Sequence, residues 1–299
     1  MTDMLKKNST IAVIAPAGIP DMEQLEKGMG LLRDWGYQVR EGRHLRERFR
    51  YNAGTAAQRT EDLLWALSDP EIDAVWLARG GFGCIHCLAA LPDTLPRERM
   101  AIGFSDATSL FGALHRKGHV NLVHGPTLEN LATTIDELSR QSIRALLAGE
   151  PRVPLLGTHI WGPGQEIAAP VIGGNLTVFA SIAGTASAIN AKGAIVVLED
   201  VTELAFRMDR SVCQLLASGF FDGVKAIAFG EFVRCPVPPG SDFTVQDVLT
   251  DLLKPLGVPI IAGLGIGHGE RNLSWRIGER GTLRDGGIRF EKPSPLPTK

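Results

Sequence analysis

The chain lacks the features that mark membrane-bound, secreted and nucleic-acid-binding proteins. Its apolar run near the N-terminus, IAVIAP, ends at a proline after five residues, which is too short for a signal-peptide core or a membrane span. Lysine and arginine together number 31 against 33 aspartates and glutamates, so the basic excess that nucleic acid requires is missing. We therefore expect a cytoplasmic protein that binds neither membrane nor nucleic acid.

Cysteine is scarce, with four residues in 299, and the metal-binding patterns are incomplete. Cys84 and Cys87 have the C-x-x-C spacing of a redox motif or half a zinc site. Neither a second such pair nor an H-x-x-x-H follows, and small apolar residues at this spacing in a helical stretch are usually packing residues. Clusters of histidine and carboxylates with metal-ligand spacing are also missing, so we expect no metal and no cofactor.

What the sequence does contain is an alternation of short apolar runs with helical patterns, which predicts an α/β fold. Residues 1–150 are predicted to form a doubly wound domain with a parallel sheet. The segment 151–170 holds several prolines and glycines and is predicted to be a connector without a buried element. Residues 171–299 are predicted to form a second, smaller α/β domain.

Residues capable of chemistry follow four of the predicted strands. In open α/β sheets, functional side chains collect beyond the carboxyl ends of the strands. The residues at these four ends are Arg79, Gly80, Gly81 and Gly83 in RGGFG, Ser105 in GFSD, Glu199 and Asp200 in LED, and His268 in GHG.

Each of these residues has a structural interpretation. Ser105 can cap the following helix, because serine is a favoured N-cap residue. Alternatively it is a nucleophile on a strained strand-to-helix turn, although Ala107 replaces the last glycine of the G-x-S-x-G pattern. Glu199 can pair with Arg207 or Arg210. His268 can be a structural hydrogen-bonding residue, and the glycines can serve only to allow positive φ.

Together, a serine, an acid and a histidine at strand ends are the three parts of a hydrolase triad. The chain order of Ser105, Glu199 and His268 is also that of the α/β-hydrolases. Here, however, the predicted connector separates the nucleophile from the acid and the base. The sequence therefore predicts an active site in a cleft between the two domains.

Several motifs in order along the chain resemble those of the serine LD-carboxypeptidases, the muramoyltetrapeptide carboxypeptidases, whose family includes the microcin C immunity peptidases. The similar segments run from about residue 11 to 290 and include RGGFG, IGFSDAT, HGP, VIGGNLTVF, VVLEDVTE and GLGIGHGERN. The combination is specific, although each motif alone is weak.

The resemblance implies a cytoplasmic homodimer without a metal that releases terminal D-alanine from murein tetrapeptides in cell-wall recycling. It implies a catalytic triad of Ser105, Glu199 and His268 and an oxyanion hole made by the backbone N–H groups of Gly81 and Asp106. On the same basis, the residues expected to contact the peptide substrate are Arg79, Gly80 and Asn175.

The sequence departs from the family where SWRIG follows the histidine. Trp275 and Arg276 replace an aliphatic residue and a proline, and they either alter the pocket or begin a strand. A second function within the family is that of a microcin-type peptidase acting on peptidyl or aminoacyl nucleotides, with Trp161 as a platform for the purine or as a packing residue. The third alternative, a non-catalytic nucleotide- or sugar-binding protein, is disfavoured because APAGIP after the first strand lacks G-x-G-x-x-G.

Overall fold

The fold is built on β-sheets. A computed structural model describes residues 4–94 and 98–291, and within these ranges the chain forms two sheets. The first sheet has the order β12-β5-β4-β3-β1-β2, in which β1 to β5 run parallel and β12 is an antiparallel edge strand. Its strands are β1 Thr10–Ile14, β2 Gln38–Glu41, β3 Ala74–Leu77, β4 Met100–Gly103, β5 Leu122–His124 and β12 Trp275–Arg276. Every residue of β3, β4 and β5 is buried, as expected for parallel strands covered on both faces.

Among the described residues, five helices accompany this sheet, and four of them begin at a side chain that accepts a backbone N–H. Their bounds are α1 Met22–Asp34, α2 Ala56–Ser68, α3 Ala107–Arg116, α4 Leu128–Ala132 and α5 Glu137–Ala148. Asp21, Thr55, Thr127 and Asp136 cap α1, α2, α4 and α5. The exception, α3, has no side-chain cap although it follows Ser105 and Asp106.

The strand order reverses direction beside β1, because β2 lies on one side of it and β3 on the other. The carboxyl ends of strands at such a switch point flank a crevice where α/β proteins bind ligands. The turn after β1 meets the turn after β3 there, and the Gly18 N–H donates to the carbonyl oxygen of Gly80 at 2.9 Å. The first sheet thus places the RGGFG turn beside this crevice.

The second sheet is mixed, with the order β6-β14-β13-β8-β9-β10-β11-β7. Strands β8 to β11 run parallel and the outer strands pair antiparallel. The strands are β6 Leu155–Leu156, β7 Thr158–Trp161, β8 Ile167–Asn175, β9 Ile195–Val201, β10 Ala226–Val233, β11 Ile260–Ala262, β13 Arg280–Arg284 and β14 Gly287–Phe290. The helices are α6 Leu176–Ile182, α7 Ala205–Ala217 and α8 Val245–Leu253, and short 3₁₀ turns cover Cys84–Ala90 and Lys254–Leu256.

The predicted alternation of strands and helices is confirmed, but two features differ from expectation. The segment 151–170 contains β6, β7 and the start of β8, and Leu155 is buried, so the expectation of a connector without a buried element is wrong. In addition, β12 returns from the second half of the chain to pair with β5 of the first sheet. The two halves also share a continuous apolar cluster that includes Phe111 of α3 and Phe179 of α6.

Within the described ranges, none of the helices has both the length and the apolar composition needed to cross a membrane.

Candidate active site

Ser105 lies on the turn between β4 and α3 in a backbone conformation that serine seldom adopts. Its φ is 63°, in the left-handed region. Such a residue is strained by roughly 1–3 kcal/mol, and surrounding structure must hold it in place. The Ser105 carbonyl oxygen accepts the Thr108 N–H at 3.0 Å, whereas its hydroxyl points away from the helix, 3.0 Å from His268 Nε2. The hydroxyl therefore does not cap α3. The interpretation of Ser105 as a helix cap is wrong.

The RGGFG turn after β3 passes directly beside this serine. A Cβ atom at Gly80 would lie 3.0 Å from both Cβ and Oγ of Ser105, so a side chain there would push against the serine. The next residue, Gly81, has a φ of 107°, which residues with a Cβ rarely adopt. Both glycines thus favour the close approach of the turn to the serine.

Glu199 and His268 complete a chain of hydrogen bonds that begins at Ser105. Glu199 lies in β9 and is fully buried, and its Oε2 is 2.6 Å from His268 Nδ1. The Nε2 atom of the same ring faces the Ser105 hydroxyl. The alternative partners of Glu199 are engaged elsewhere, since Arg207 lies 3.9 Å from Glu203 and Arg210 stacks over Phe206. The structure therefore brings together all three residues predicted for the triad.

A column of aromatic rings supports the imidazole of His268. Phe104 packs against it with ring centroids 4.7 Å apart, and Phe104 in turn contacts His124 at 5.9 Å. His124 stacks on Trp275 at 5.4 Å. Burial, with a smaller contribution from the charge of His268, lowers the pKa of His124 to about 3. The His124 ring, behind Phe104 in this column, is therefore neutral at physiological pH.

Trp275 and Arg276 belong to this supporting structure. They form β12, in which Trp275 pairs with His124 and is fully buried. The Arg276 Nε atom donates to the side-chain oxygen of Asn121 at 3.2 Å. Of the two expectations for this departure from the family, the structure agrees with the one that placed a strand here.

Asp200 follows Glu199 in β9 and has a different set of partners. One of its oxygens accepts from the Asn175 side-chain amide at 2.9 Å, and the other accepts the backbone N–H of Thr177 at 2.9 Å and its hydroxyl at 2.6 Å. Asn175 also caps α6 by accepting the Val178 N–H at 3.0 Å. The Asn175 side chain is thus engaged within the protein, and its contact with substrate stays a prediction.

Arg79 is the first residue of the RGGFG turn and places a positive charge there. Its guanidinium donates to the carbonyl oxygen of Ile19 at 3.0 Å and lies 3.9 Å from Glu129 Oε2. The side chain is 48 % exposed, so part of the guanidinium remains accessible to a ligand.

Some backbone N–H groups near Ser105 have no acceptor within the described part of the chain. They include those of Gly81 in the turn and of Asp106 directly after the serine. Unpaired donors beside a nucleophile are suited to binding an oxyanion. These are the two residues predicted for an oxyanion hole.

The C-x-x-C residues lie behind the turn, away from solvent. Cys84 and Cys87 are both buried in the 3₁₀ turn, and burial raises the pKa of each thiol. Reactive thiols have lowered pKa values, so these cysteines have the character of packing residues. Among the residues that the structure describes, no group of three or more His, Cys, Asp or Glu side chains is arranged to hold a metal ion.

Comparison with known families matches both halves of the chain. Residues 11–125 match the LD-carboxypeptidase N-terminal domain, and residues 168–283 match the LD-carboxypeptidase C-terminal domain. The chain belongs to the LD-carboxypeptidase family. The family resemblance read from the motifs is thereby confirmed, and the chain is a hydrolase of the carboxypeptidase class.

Relatives of this LD-carboxypeptidase match it over most of their length. A putative carboxypeptidase of Synechocystis is 36 % identical, covering 93 % of this chain and 92 % of the relative. The murein tetrapeptide carboxypeptidase of Pseudomonas aeruginosa is 35 % identical, covering 94 % of each chain. The probable murein peptide carboxypeptidase of Bacillus subtilis is 30 % identical, covering 93 % of this chain and 90 % of the relative.

Solved structures agree with the fold. The muramoyltetrapeptide carboxypeptidase of Oxalobacter formigenes superposes with a TM-score of 0.82 at 24 % identity, covering 96 % of this chain and all of the other. The microcin immunity protein MccF in complex with glutamyl sulfamoyl guanosine has a TM-score of 0.82 at 20 % identity, covering 97 % and 98 %. The predicted two-domain α/β class is confirmed, with mixed rather than purely parallel sheets.

Sequence reasoning missed the residues that support the site from behind. It did not find the ring column of Phe104 and His124, or the carboxylate of Asp106, which accepts the Cys84 N–H at 2.7 Å. The only signal was the position of these residues inside the GFSD and HGP motifs. Their contacts join segments far apart in the chain, which a local pattern does not show.

Proposed function

We propose that this LD-carboxypeptidase is a serine peptidase that releases the terminal D-alanine of murein tetrapeptides. The observation that carries the proposal is the hydrogen-bonded series from Ser105 Oγ to His268 Nε2 at 3.0 Å and from His268 Nδ1 to Glu199 at 2.6 Å. The murein substrates of the relatives from Pseudomonas aeruginosa and Bacillus subtilis support the choice of substrate.

In this mechanism His268 removes the proton of the Ser105 hydroxyl as the serine attacks the carbonyl carbon before D-alanine. Glu199 holds the imidazole in the tautomer that presents an unprotonated Nε2, and it stabilises the imidazolium that forms. The Gly81 and Asp106 N–H groups donate to the oxyanion of the tetrahedral intermediate. His268 then gives its proton to the departing amine, and water hydrolyses the acyl-enzyme by the same steps.

A carboxypeptidase must also recognise the free carboxylate at the end of its substrate. Arg79 is the proposed partner for that group, because its guanidinium is half exposed on the turn that approaches Ser105. Arginine matches carboxylate geometry by donating two parallel hydrogen bonds. In this arrangement the chain end lies near the oxyanion site, which favours cleavage of the last bond.

The test is to incubate the purified protein with a murein tetrapeptide and, separately, with a microcin-type peptidyl nucleotide, and to weigh the products. Release of D-alanine from the tetrapeptide by the wild type, and not by Ser105→Ala, is the expected result. Cleavage of the nucleotide alone would instead assign the microcin-type function.

Trp161, the purine platform of that alternative, packs against the apolar core and pairs with Ile260 in β11.

The resemblance also implies a cytoplasmic homodimer, and we include both features in the proposal. Sedimentation of the purified protein tests the dimer, and fractionation of cells tests the compartment.

A further inference from the structure

The carboxylate of Asp106 has a set of partners that the proposed reaction does not use. Asp106 is 3 % exposed and occupies the N-cap position of α3, yet its side chain makes no capping hydrogen bond. Instead its Oδ2 accepts the backbone N–H of Cys84 at 2.7 Å. The Gly83 N–H and the Cys84 thiol lie close enough to the same carboxylate to lower its pKa. These groups belong to the RGGFG turn or directly follow it.

A buried carboxylate is costly unless hydrogen bonds replace the lost water. Burial raises the pKa of Asp106, and the donors from Cys84 and Gly83 oppose that rise. The carboxylate is therefore held against the turn, because moving away would leave a buried charge without hydrogen bonds. An ordinary helix cap would have met this need within α3 itself.

The turn in question depends on such external contacts for its shape. Gly81 and Gly83 have φ values of 107° and 147°, and glycine has no strong preference for a single backbone conformation. The other described polar contacts of the turn include the Gly18 N–H bonded to Gly80, the Asn52 amide bonded to the Phe82 carbonyl, and the His86 N–H bonded to the Gly83 carbonyl. The hydrogen bond between the Asp106 carboxylate and Cys84 joins this turn to the turn that holds Ser105.

We propose that the Asp106 carboxylate is a positioning residue that sets the distance between the two donors of the oxyanion hole. One donor is the Asp106 N–H itself, and the other is the Gly81 N–H in the turn that the carboxylate holds. The inference rests on the proposed function, because it assumes that Ser105 attacks a carbonyl whose oxygen lies between these donors. Small displacements of such groups have large effects on rate, since the donors act only at hydrogen-bond distance from the oxyanion.

The test compares Asp106→Asn with Asp62→Asn in the full-length protein. Asp62 is a matched control because it is 4 % exposed and accepts the His44 N–H at 2.9 and 3.2 Å, beside the edge strand β2. Three quantities are measured: the rate at which a fluorophosphonate modifies Ser105, the affinity for a peptide boronate, and the affinity for tetrapeptide in a Ser105→Ala background. The first two require the oxyanion donors, and the third reports substrate binding without reaction.

For Asp106→Asn we expect phosphonylation slower by about 10- to 100-fold, because losing one oxyanion donor entirely costs about 10²- to 10³-fold. Boronate affinity should fall by a similar factor, whereas tetrapeptide affinity should change by less than about threefold, since only transition-state interactions are lost. Asp62→Asn should lower the melting temperature and leave all three quantities near wild type. A purely structural role for Asp106 predicts the same pattern for both variants.

Phosphonylation of folded Asp106→Asn at the wild-type rate overturns the positioning role. If Asp106→Asn does not fold, Asp106→Ser takes its place, because a serine hydroxyl is too short to hold the turn, and the same expectations apply. A wild type that is phosphonylated at Ser105 but leaves the tetrapeptide intact overturns the proposed substrate alone. A wild type whose Ser105 does not react overturns both the nucleophile and the positioning role.

Discussion

Glu199 and Asp200 are neighbours in β9, yet their carboxylates lie on opposite sides of the strand. Glu199 lies 2.6 Å from His268 Nδ1, whereas Asp200 accepts from Asn175 and Thr177 at the start of α6. Alternation of side chains along a strand permits only one of two adjacent acids to face the histidine. Glu199 is therefore placed to orient His268, whereas Asp200 holds the start of α6.

Glu199→Gln should reduce kcat by about 10²- to 10⁴-fold, because an amide presents a donor to His268 Nδ1 and favours the wrong tautomer. Asp200→Asn should change kcat by less than about tenfold. It should instead lower the melting temperature, because an amide cannot accept all the donors that converge on Asp200, at a cost of about 1–3 kcal/mol. Both variants are assayed on the same tetrapeptide. An inactive Asp200→Asn variant together with an active Glu199→Gln variant would show that Asp200, and not Glu199, orients His268.

Ser105→Ala should lower turnover by a factor of at least roughly 10⁴, as in other triads that lose the nucleophile. If the hydroxyl only capped α3, its loss would cost about 1 kcal/mol of stability and leave the rate almost unchanged. The variant should remain folded, because the backbone bond from Thr108 to the Ser105 carbonyl persists. Circular dichroism and release of D-alanine distinguish the two outcomes. A folded variant that turns over normally is incompatible with a nucleophilic Ser105.

Local pattern sufficed for the strands β1, β3 and β4 of the first sheet, and it singled out Ser105, Glu199 and His268, which the structure brings together. Buried runs such as Ala74–Leu77 and Met100–Gly103 are rich in apolar residues, and residues at their carboxyl ends necessarily share one edge of the sheet. The motifs around Ser105, Glu199 and His268 then indicated which of those residues to choose.

Non-local pairing was invisible in the sequence. The strands Leu155–Leu156 and Thr158–Trp161 are short and lie among prolines and glycines, and they exist because β14 and β11 supply partners. β12 likewise forms only because Trp275 and Arg276 meet β5, about 150 residues earlier in the chain. The same limit hid the bond between Asp106 and Cys84, whose partners come from different turns.

Chelation tests whether the proposed triad acts alone. The reaction assigned to Ser105, Glu199 and His268 needs no metal, because the oxyanion is bound by backbone N–H groups. Exhaustive dialysis against a chelator should therefore leave tetrapeptide hydrolysis at its initial rate. Loss of activity on chelation, with recovery on adding zinc, would contradict the mechanism.

The stereochemistry of the scissile bond is a further prediction from the family. An LD-carboxypeptidase cleaves between an L-configured centre and D-alanine, so a pentapeptide ending in D-Ala-D-Ala should be a poor substrate. We expect kcat/KM for the tetrapeptide to exceed that for the pentapeptide, measured by release of D-alanine under the same conditions. A preference for the pentapeptide would assign the enzyme a DD-carboxypeptidase specificity.

The last prediction concerns His124, the buried ring behind the base. Burial lowers its pKa to about 3, and the groups that face it are His268, the Asn272 amide and the rings of Phe104 and Trp275. In the unfolded chain a histidine takes up a proton below about pH 6.5. Between about pH 6.5 and 3 the unfolded state thus binds one more proton at this position, so stability falls as the pH falls, by up to about 1.4 kcal/mol per pH unit.

His124→Phe removes this titrating group and keeps an aromatic ring against Trp275. We expect the melting temperature of the wild type to fall more steeply than that of the variant between pH 6.5 and 4, whatever the offset between them at neutral pH. His159→Gln is the control, because His159 is exposed on β7 and its replacement should leave the wild-type slope unchanged. Parallel curves for the wild type and His124→Phe would mean that His124 is already protonated in the folded protein at these pH values. A neutral His124 matters for the proposed reaction, since a charged ring this close to His268 would oppose formation of the imidazolium during attack by Ser105.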